Sequence, residues 1–281
     1  MVLMWPLWSL LSTVHRRLGT TGAVRAWIGT SGWQYRDWRG SFYPRDLAAG
    51  RWLETYASRY RTVEVNNSFY RLPPRSVFEE WARRTPDDFV FVVKASRYLS
   101  HVKRLADPEE PVGRLLEHAQ GLGSKLGPVL LQLPPTLQRD LDRLDRTLSC
   151  FAARGARVAV EFRHPTWFEA ATYSLLAGHG AALCLTDRLN RRGPVEATSG
   201  WTYLRLHEGR ATPRPCYGTT ALRSWVATLA GVAADEAWVF FNNDPRGCAP
   251  ANARTFARLA AAAGLDPTRF PDEPLRVHSG A

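Results

Sequence analysis

From Trp27 onward, short β-branched or aromatic runs alternate with longer segments of helical spacing, and this alternation is what most restricts the fold. The runs cover 27–30, 62–66, 89–94, 128–133, 157–162, 181–186, 201–206 and 237–242. Eight such units in roughly 250 residues predict an α/β protein built as a single (β/α)8 TIM-like barrel. Between the runs, 50–60 places Trp52, Tyr56 and Tyr60 at four-residue spacing, and 76–84 pairs Phe78 with Trp81. Segments 112–126 and 219–232 lead into the fourth and eighth runs. These segments read as helices covering a barrel, their aromatic stripes turned to the core. The alternation divides the chain into an N-terminal extension (1–26), a barrel domain (27–264) and a tail (265–281), with alanine clusters such as 260–263 the only low complexity.

A chain of 281 residues with 45% hydrophobic and 22% charged composition buries a sizeable core without disulfides. Its four cysteines, Cys150, Cys184, Cys216 and Cys248, form no C-x-x-C pair and no metal-finger spacing, which fits a reducing, cytoplasmic setting. The apolar opening MVLMWPLWSLL is too short to span a bilayer, and its basic residues follow the run instead of preceding it. No membrane association is expected from it. The formal charge of +11 is carried almost wholly by arginine, since Lys94, Lys103 and Lys125 are the only lysines. Arginine grips carboxylate and phosphate bidentately, so the expected partner is anionic: a small molecule, or alternatively nucleic acid.

A closed parallel barrel carries its chemistry at the C-terminal ends of its strands. Those ends deliver Ser31 and Trp33, Glu64 and Asn66, Lys94 with His101 beyond it, Gln132, Glu161 with Arg163 and His164, Asp187, Arg205 with His207, and Asn242, Asn243 and Asp244. Strand alternation aims each of the pairs Glu64/Asn66, Glu161/Arg163 and Arg205/His207 to one side. Burying so many ionisable groups is costly unless they are paired, so the set reads as a site. Lys94 has three readings: first a counter-ion for Glu161, then a cation for an anionic substrate, then an amine nucleophile depressed by burial. Residues 29–33 (GTSGW) fall short of a nucleophile elbow, and 121–127 (GLGSKLG) lacks phosphate-loop spacing.

Seven segments carry a resemblance: GTSGWQYRDWRGSFYP (29–44), VEVNNSFYRLP (63–73), FVVKASRYLSH (91–101), GPVLLQLPPT (127–136), VAVEFRHPTW (158–167), YLRLHEG (203–209) and VFFNNDPRGCAPANA (239–253). In this order and register over about 27–264 they resemble family 72 of the domains of unknown function, the YecE-like proteins. The resemblance implies a TIM-like barrel and no particular activity. It marks the positions held here by Trp33, Tyr35, Glu64, Asn66, Tyr70, Lys94, His101, Gln132, Glu161, Arg163, Trp167, Arg205, His207, Asn242 and Asn243. Glu208 departs from the family pattern by separating His207 from Gly209, and the short loop beyond carries Pro213 and Pro215, which argues against a phosphate site there.

The expected function is an enzyme acting on a small anionic or carbohydrate-like substrate at the barrel mouth. Its catalytic candidates are Glu64, Lys94, Glu161 and His207, with a glutamate as base and a histidine as acid. Trp33, Tyr35, Asn66, Tyr70, His101, Gln132, Arg163, Arg205, Asn242 and Asn243 are the substrate-binding candidates. No cofactor is expected, because Lys and Arg among the carboxylates neutralise them; a divalent-metal variant would use Glu64, Glu161, Asp187 and His207. Glu161→Gln is expected to fold and lose activity. The alternative is a nucleic-acid-binding or nucleic-acid-processing protein, with Arg-rich loops on phosphates and Trp33, Tyr35, Trp38 and Tyr70 stacked on bases.

Overall fold

All eight expected strands form, each within two residues of its expected bounds: β1 Arg25–Thr30, β2 Thr62–Val65, β3 Val90–Lys94, β4 Leu126–Gln132, β5 Val158–Glu161, β6 Ala182–Thr186, β7 Trp201–Leu206 and β8 Glu236–Phe241. A two-residue β9, Asp266–Pro267, joins them from the segment read as a tail. The structure is a computed structural model and describes residues 22–187 and 193–278, so the apolar opening of the chain lies outside the described residues. Every pairing is parallel, in the order β2-β3-β4-β5-β6-β7-β8-β1-β9, and the curled sheet makes a TIM-barrel-like fold. Helices α1 Trp52–Arg59, α2 Asn67–Tyr70, α3 Arg75–Arg83, α4 Glu109–Ala119, α5 Leu141–Ala152, α6 Ala170–Gly178, α7 Thr219–Gly231 and α8 Cys248–Ala262 alternate with the strands.

Period-two alternation sorts the strand residues. Val63, Val65, Phe91, Val93, Val129, Leu131, Val158, Val160, Leu183 and Leu204 join the core shared with the helices. Val92, Leu130, Ala159, Ala182, Cys184, Tyr203, Trp238 and Phe240 form a second cluster that fills the barrel. The alanine stretch read as low complexity is the last turn of α8. Ala253, Ala257 and Ala260 are fully buried on one helix face, and their small size lets the helix lie close to the sheet.

The sheet closes between β1 and β2 by an unusual seam. One bridge, Ser31 to Glu64, joins the two strands at the mouth. Below it the Tyr56 hydroxyl of α1 stands in for the ladder, accepting from Thr30 N at 3.0 Å and donating to Thr62 O at 3.0 Å. Gly29 is required there, because a Cβ would stand 2.3 Å from Thr62 O. Tyr56→Phe should leave a buried N–H and a buried carbonyl unpaired, costing about 2–3 kcal/mol in urea denaturation, with early amide exchange at Thr30. A loss below about 0.5 kcal/mol would show that the seam closes without the phenol.

The cysteine reading needs correction. Cys216, in the loop after β7, and Cys248, at the start of α8, form a disulfide with Cα atoms 5.0 Å apart, leaving Cys150 and Cys184 free. Linear spacing gave no sign of the pair, because the fold brings the two loops together at the barrel mouth. No helix among the described residues is long and apolar enough to cross a membrane.

Candidate functional site

At the C-terminal ends of the strands the last inward-facing residues are polar, and they meet. Arg205, 1% exposed, lies between two fully buried carboxylates. Its Nη2 is 2.7 Å from Glu64 Oε1, and its Nη1 is 2.6 Å from Glu161 Oε2. Ser31 Oγ donates to Glu64 Oε1 at 2.8 Å and the Tyr203 hydroxyl to Oε2 at 2.6 Å. Gln132 Nε2 and Arg163 Nε both donate to Glu161 Oε1, at 2.8 and 3.0 Å. His207 Nε2 lies 3.8 Å from the same oxygen. Burial alone would raise the Glu161 pKa, but Arg205, His207, Arg163 and Lys94 outweigh it and hold the carboxyl well below its usual range. Each carboxylate is thus fixed by several donors.

Lys94 is placed differently from its favoured reading. Arg205 has taken the position of counter-ion to Glu161, and among the described residues no carboxylate lies within ion-pair distance of the Lys94 ammonium. Lys94 is 8% exposed, with Nζ 4.2 Å from the centre of the Phe69 ring. Burial, then the charge of Arg205, brings its pKa down to about 7 against the pull of Glu64 and Glu161. His101 packs edge-on to the same Phe69 ring, with centroids 5.1 Å apart, and pairs Nδ1 with Ser100 Oγ at 2.9 Å. Burial, Arg163, Arg97 and Lys94 lower the His101 pKa to about 4, so the imidazole is neutral at physiological pH.

The opposite rim is built on β1 and β8. Asn66 Nδ2 and the Tyr35 hydroxyl both donate to Ser31 O, at 3.2 and 2.6 Å, and Asn66 Oδ1 is buried without a partner. Asn242 Nδ2 faces His207 Nδ1 at 3.2 Å, while Asp187 accepts from His207 N and from the Tyr217 hydroxyl. Asp244 Oδ1 is also buried and unpartnered. Burial raises the Asp244 pKa to about 7, the Tyr35 hydroxyl lowering it and Asp37 raising it.

Three expected binding residues stand elsewhere. Gly32, at φ 100°, turns the chain so that Trp33 packs behind the strands against Trp81 and Phe91, 4% exposed. Asn243 follows the inward Asn242 and so faces outward, tying Pro215 O to Asn252 Oδ1 of α8. Tyr70, 81% exposed, stands in solvent with its ring against Phe69. Among the described residues no three His, Cys, Asp or Glu side chains are grouped to hold a metal ion. Of the four proposed for a metal, Glu64 and Glu161 are engaged by Arg205.

Sequence reasoning passed over Tyr203, Phe69 and Arg97 as site residues. Tyr203 was legible, since it sits two residues before Arg205 on one strand and must share its face. Phe69 carried no such signal, because its contact with Lys94 joins a loop helix to a neighbouring strand.

Two cavities lie apart from this cluster. One of about 250 Å³ is lined by Pro213, Tyr217, Asn252, Arg254 and Leu275. Another of about 300 Å³ opens at the N-terminal end of the barrel beside the stacked Trp27–Trp238 pair and the Arg157–Glu236 ion pair. That end of such barrels serves stability, not chemistry.

Comparison with known proteins agrees with the fold. UPF0759 protein YunF of Bacillus subtilis is 29% identical over 154 residues, 52% of this chain and 54% of its own. UPF0759 protein YecE of Escherichia coli K12 is 34% identical over 117 residues, 41% of this chain and 43% of its own. The chain thus spans about half the length of the curated relatives it matches. A crystal structure of a DUF72 family protein from Thermotoga maritima superposes with a TM-score of 0.73 at 27% identity, covering 84% of this chain and 99% of that one. A second, from Enterococcus faecalis, shares the fold at a TM-score of 0.70 and 21% identity, covering 84% and 95%. With residues 27–275 matching the model of "Protein of unknown function DUF72", the chain belongs to the DUF72 family.

Proposed function

We propose that the barrel mouth is the active site of an enzyme acting on a small anionic or carbohydrate-like substrate. The observation that carries this reading is Lys94, a buried amine with no ion-pair partner among the described residues, beside a carboxylate–arginine cluster in which every carboxylate is engaged. A purely structural lysine in that position would be expected to take a carboxylate. The roles assigned from sequence shift accordingly. Glu64 and Glu161 act as the frame that fixes Arg205, since a carboxylate held by several donors is a weak base. Lys94 becomes the group able to take a proton near pH 7, with neutral His101 against the same Phe69 ring. Arg163 donates only its Nε to Glu161, so its two terminal nitrogens can hold an anion.

The nucleic-acid alternative has less support, because two of its four stacking aromatics, Trp33 and Trp38, are 4% and 0% exposed. Titration with inorganic phosphate and with oxalate, followed on the imidazole resonances of His101, separates the readings. Saturable shifts that Arg163→Gln abolishes are expected. No shift with either anion, together with a shift on adding a single-stranded oligonucleotide, would favour the alternative and end the small-substrate reading.

A further inference from the structure

We infer that Lys94 is a covalent nucleophile that forms an imine with an aldehyde or ketone bearing a carboxylate or phosphate group. This deepens the reading of the mouth as an anion-binding active site and rests on it. Three placements support it. The amine lies buried at a strand end over the Phe69 ring, with no carboxylate among the described residues within ion-pair distance to fix a proton on it. His101 meets the same Phe69 ring, and with the Ser100 hydroxyl donating to Ser96 O, its Nδ1–H can face Ser100 Oγ and leave the Nε2 lone pair to accept a proton. Arg163, held at its Nε by Glu161, keeps two terminal nitrogens to take an anionic group in the same barrel mouth that holds Lys94. Burial and positive neighbours keep a large share of the amine unprotonated near neutral pH.

The step balances without a co-reactant. The Lys94 lone pair forms the N–C bond as the carbonyl π pair moves to oxygen. His101 Nε2 relays the proton that the nitrogen sheds to the oxygen, giving a carbinolamine. The second nitrogen proton passes to the hydroxyl, which leaves as water, and the C=N bond forms.

With three lysines in the chain, the assignment is readable by mass. Lys103 is 3.1 Å from Asp107, and Lys125 donates to Ala82 O and Thr85 O, so neither resembles Lys94. The full-length protein is treated at pH 7 with glyoxylate and cyanoborohydride, and in parallel with acetaldehyde, which has no anionic group. Peptide mapping should place the glyoxylate adduct on Lys94 at least about tenfold faster than on Lys103. Arg163→Gln should slow glyoxylate labelling several-fold more than it slows acetaldehyde labelling. Lys94 labelling no faster than Lys103 would overturn the inference. If glyoxylate still shifts the His101 resonances in that case, the anion-binding mouth survives and only the covalent step is lost. If it shifts nothing, both fail.

Discussion

Arg205→Met should destabilise the protein by about 3–5 kcal/mol at neutral pH, because the variant leaves two buried carboxylates facing the space of a lost cation. Arg205 is 1% exposed, and Glu64 and Glu161 are 0% exposed, so water cannot screen the loss. Ser31, Tyr203, Gln132 and Arg163 would still donate, but only Arg163 among them carries charge. The pH dependence gives the sharper check. Glu161 is depressed in the folded protein, so its favourable contribution is present above the unfolded carboxyl pKa and is lost as pH falls through the folded one. Without Arg205, burial dominates and the carboxyl pKa moves up. The deficit of the variant should therefore be largest near pH 7 and narrow as pH falls below about 5. Urea denaturation of both proteins at several pH values tests this, and a deficit under about 1 kcal/mol at pH 7 would show that the cluster does not need its cation. The same geometry revises the expectation for Glu161→Gln. Whichever oxygen becomes an NH2 group must face either Arg205 or the two donors Gln132 and Arg163, so a large loss of stability is expected where the sequence alone suggested tolerance.

Lys94→Met should do the opposite. Its folded pKa of about 7 lies below the unfolded lysine value, so the unfolded chain holds the proton more tightly between the two. The resulting penalty on the folded state is full below the folded pKa and vanishes above the unfolded one. Methionine removes it, and the variant should be more stable than the parent by about 2–4 kcal/mol near pH 6, with the gain shrinking toward zero as pH approaches about 10.5. It should also lose the glyoxylate adduct on this residue. Stability gained at the cost of reactivity is the pattern of a functional group kept under strain. A variant less stable than the parent at pH 6 would mean that Lys94 is charged and serves the carboxylates as a counter-ion.

The eight strands and their inward faces were legible because both rest on local chemistry. β-Branched and aromatic runs extend the chain, and a period of two then decides which residues share a side. Alternation alone therefore marks Glu64, Lys94, Gln132, Glu161 and Arg205 as one inward set, and by the same rule Tyr203 belongs with them. Which of them pair was not legible. Glu64 and Arg205 are 141 positions apart, and only the curl of the sheet brings their ends within 2.7 Å, giving Arg205 the place that sequence had assigned to Lys94. The turn at Gly32 sends Trp33 behind the strands, and the approach of two loops joins Cys216 to Cys248. Alternation fixes the side a residue faces, whereas partners across a barrel depend on how all the strands close, and no local stretch of sequence contains that information.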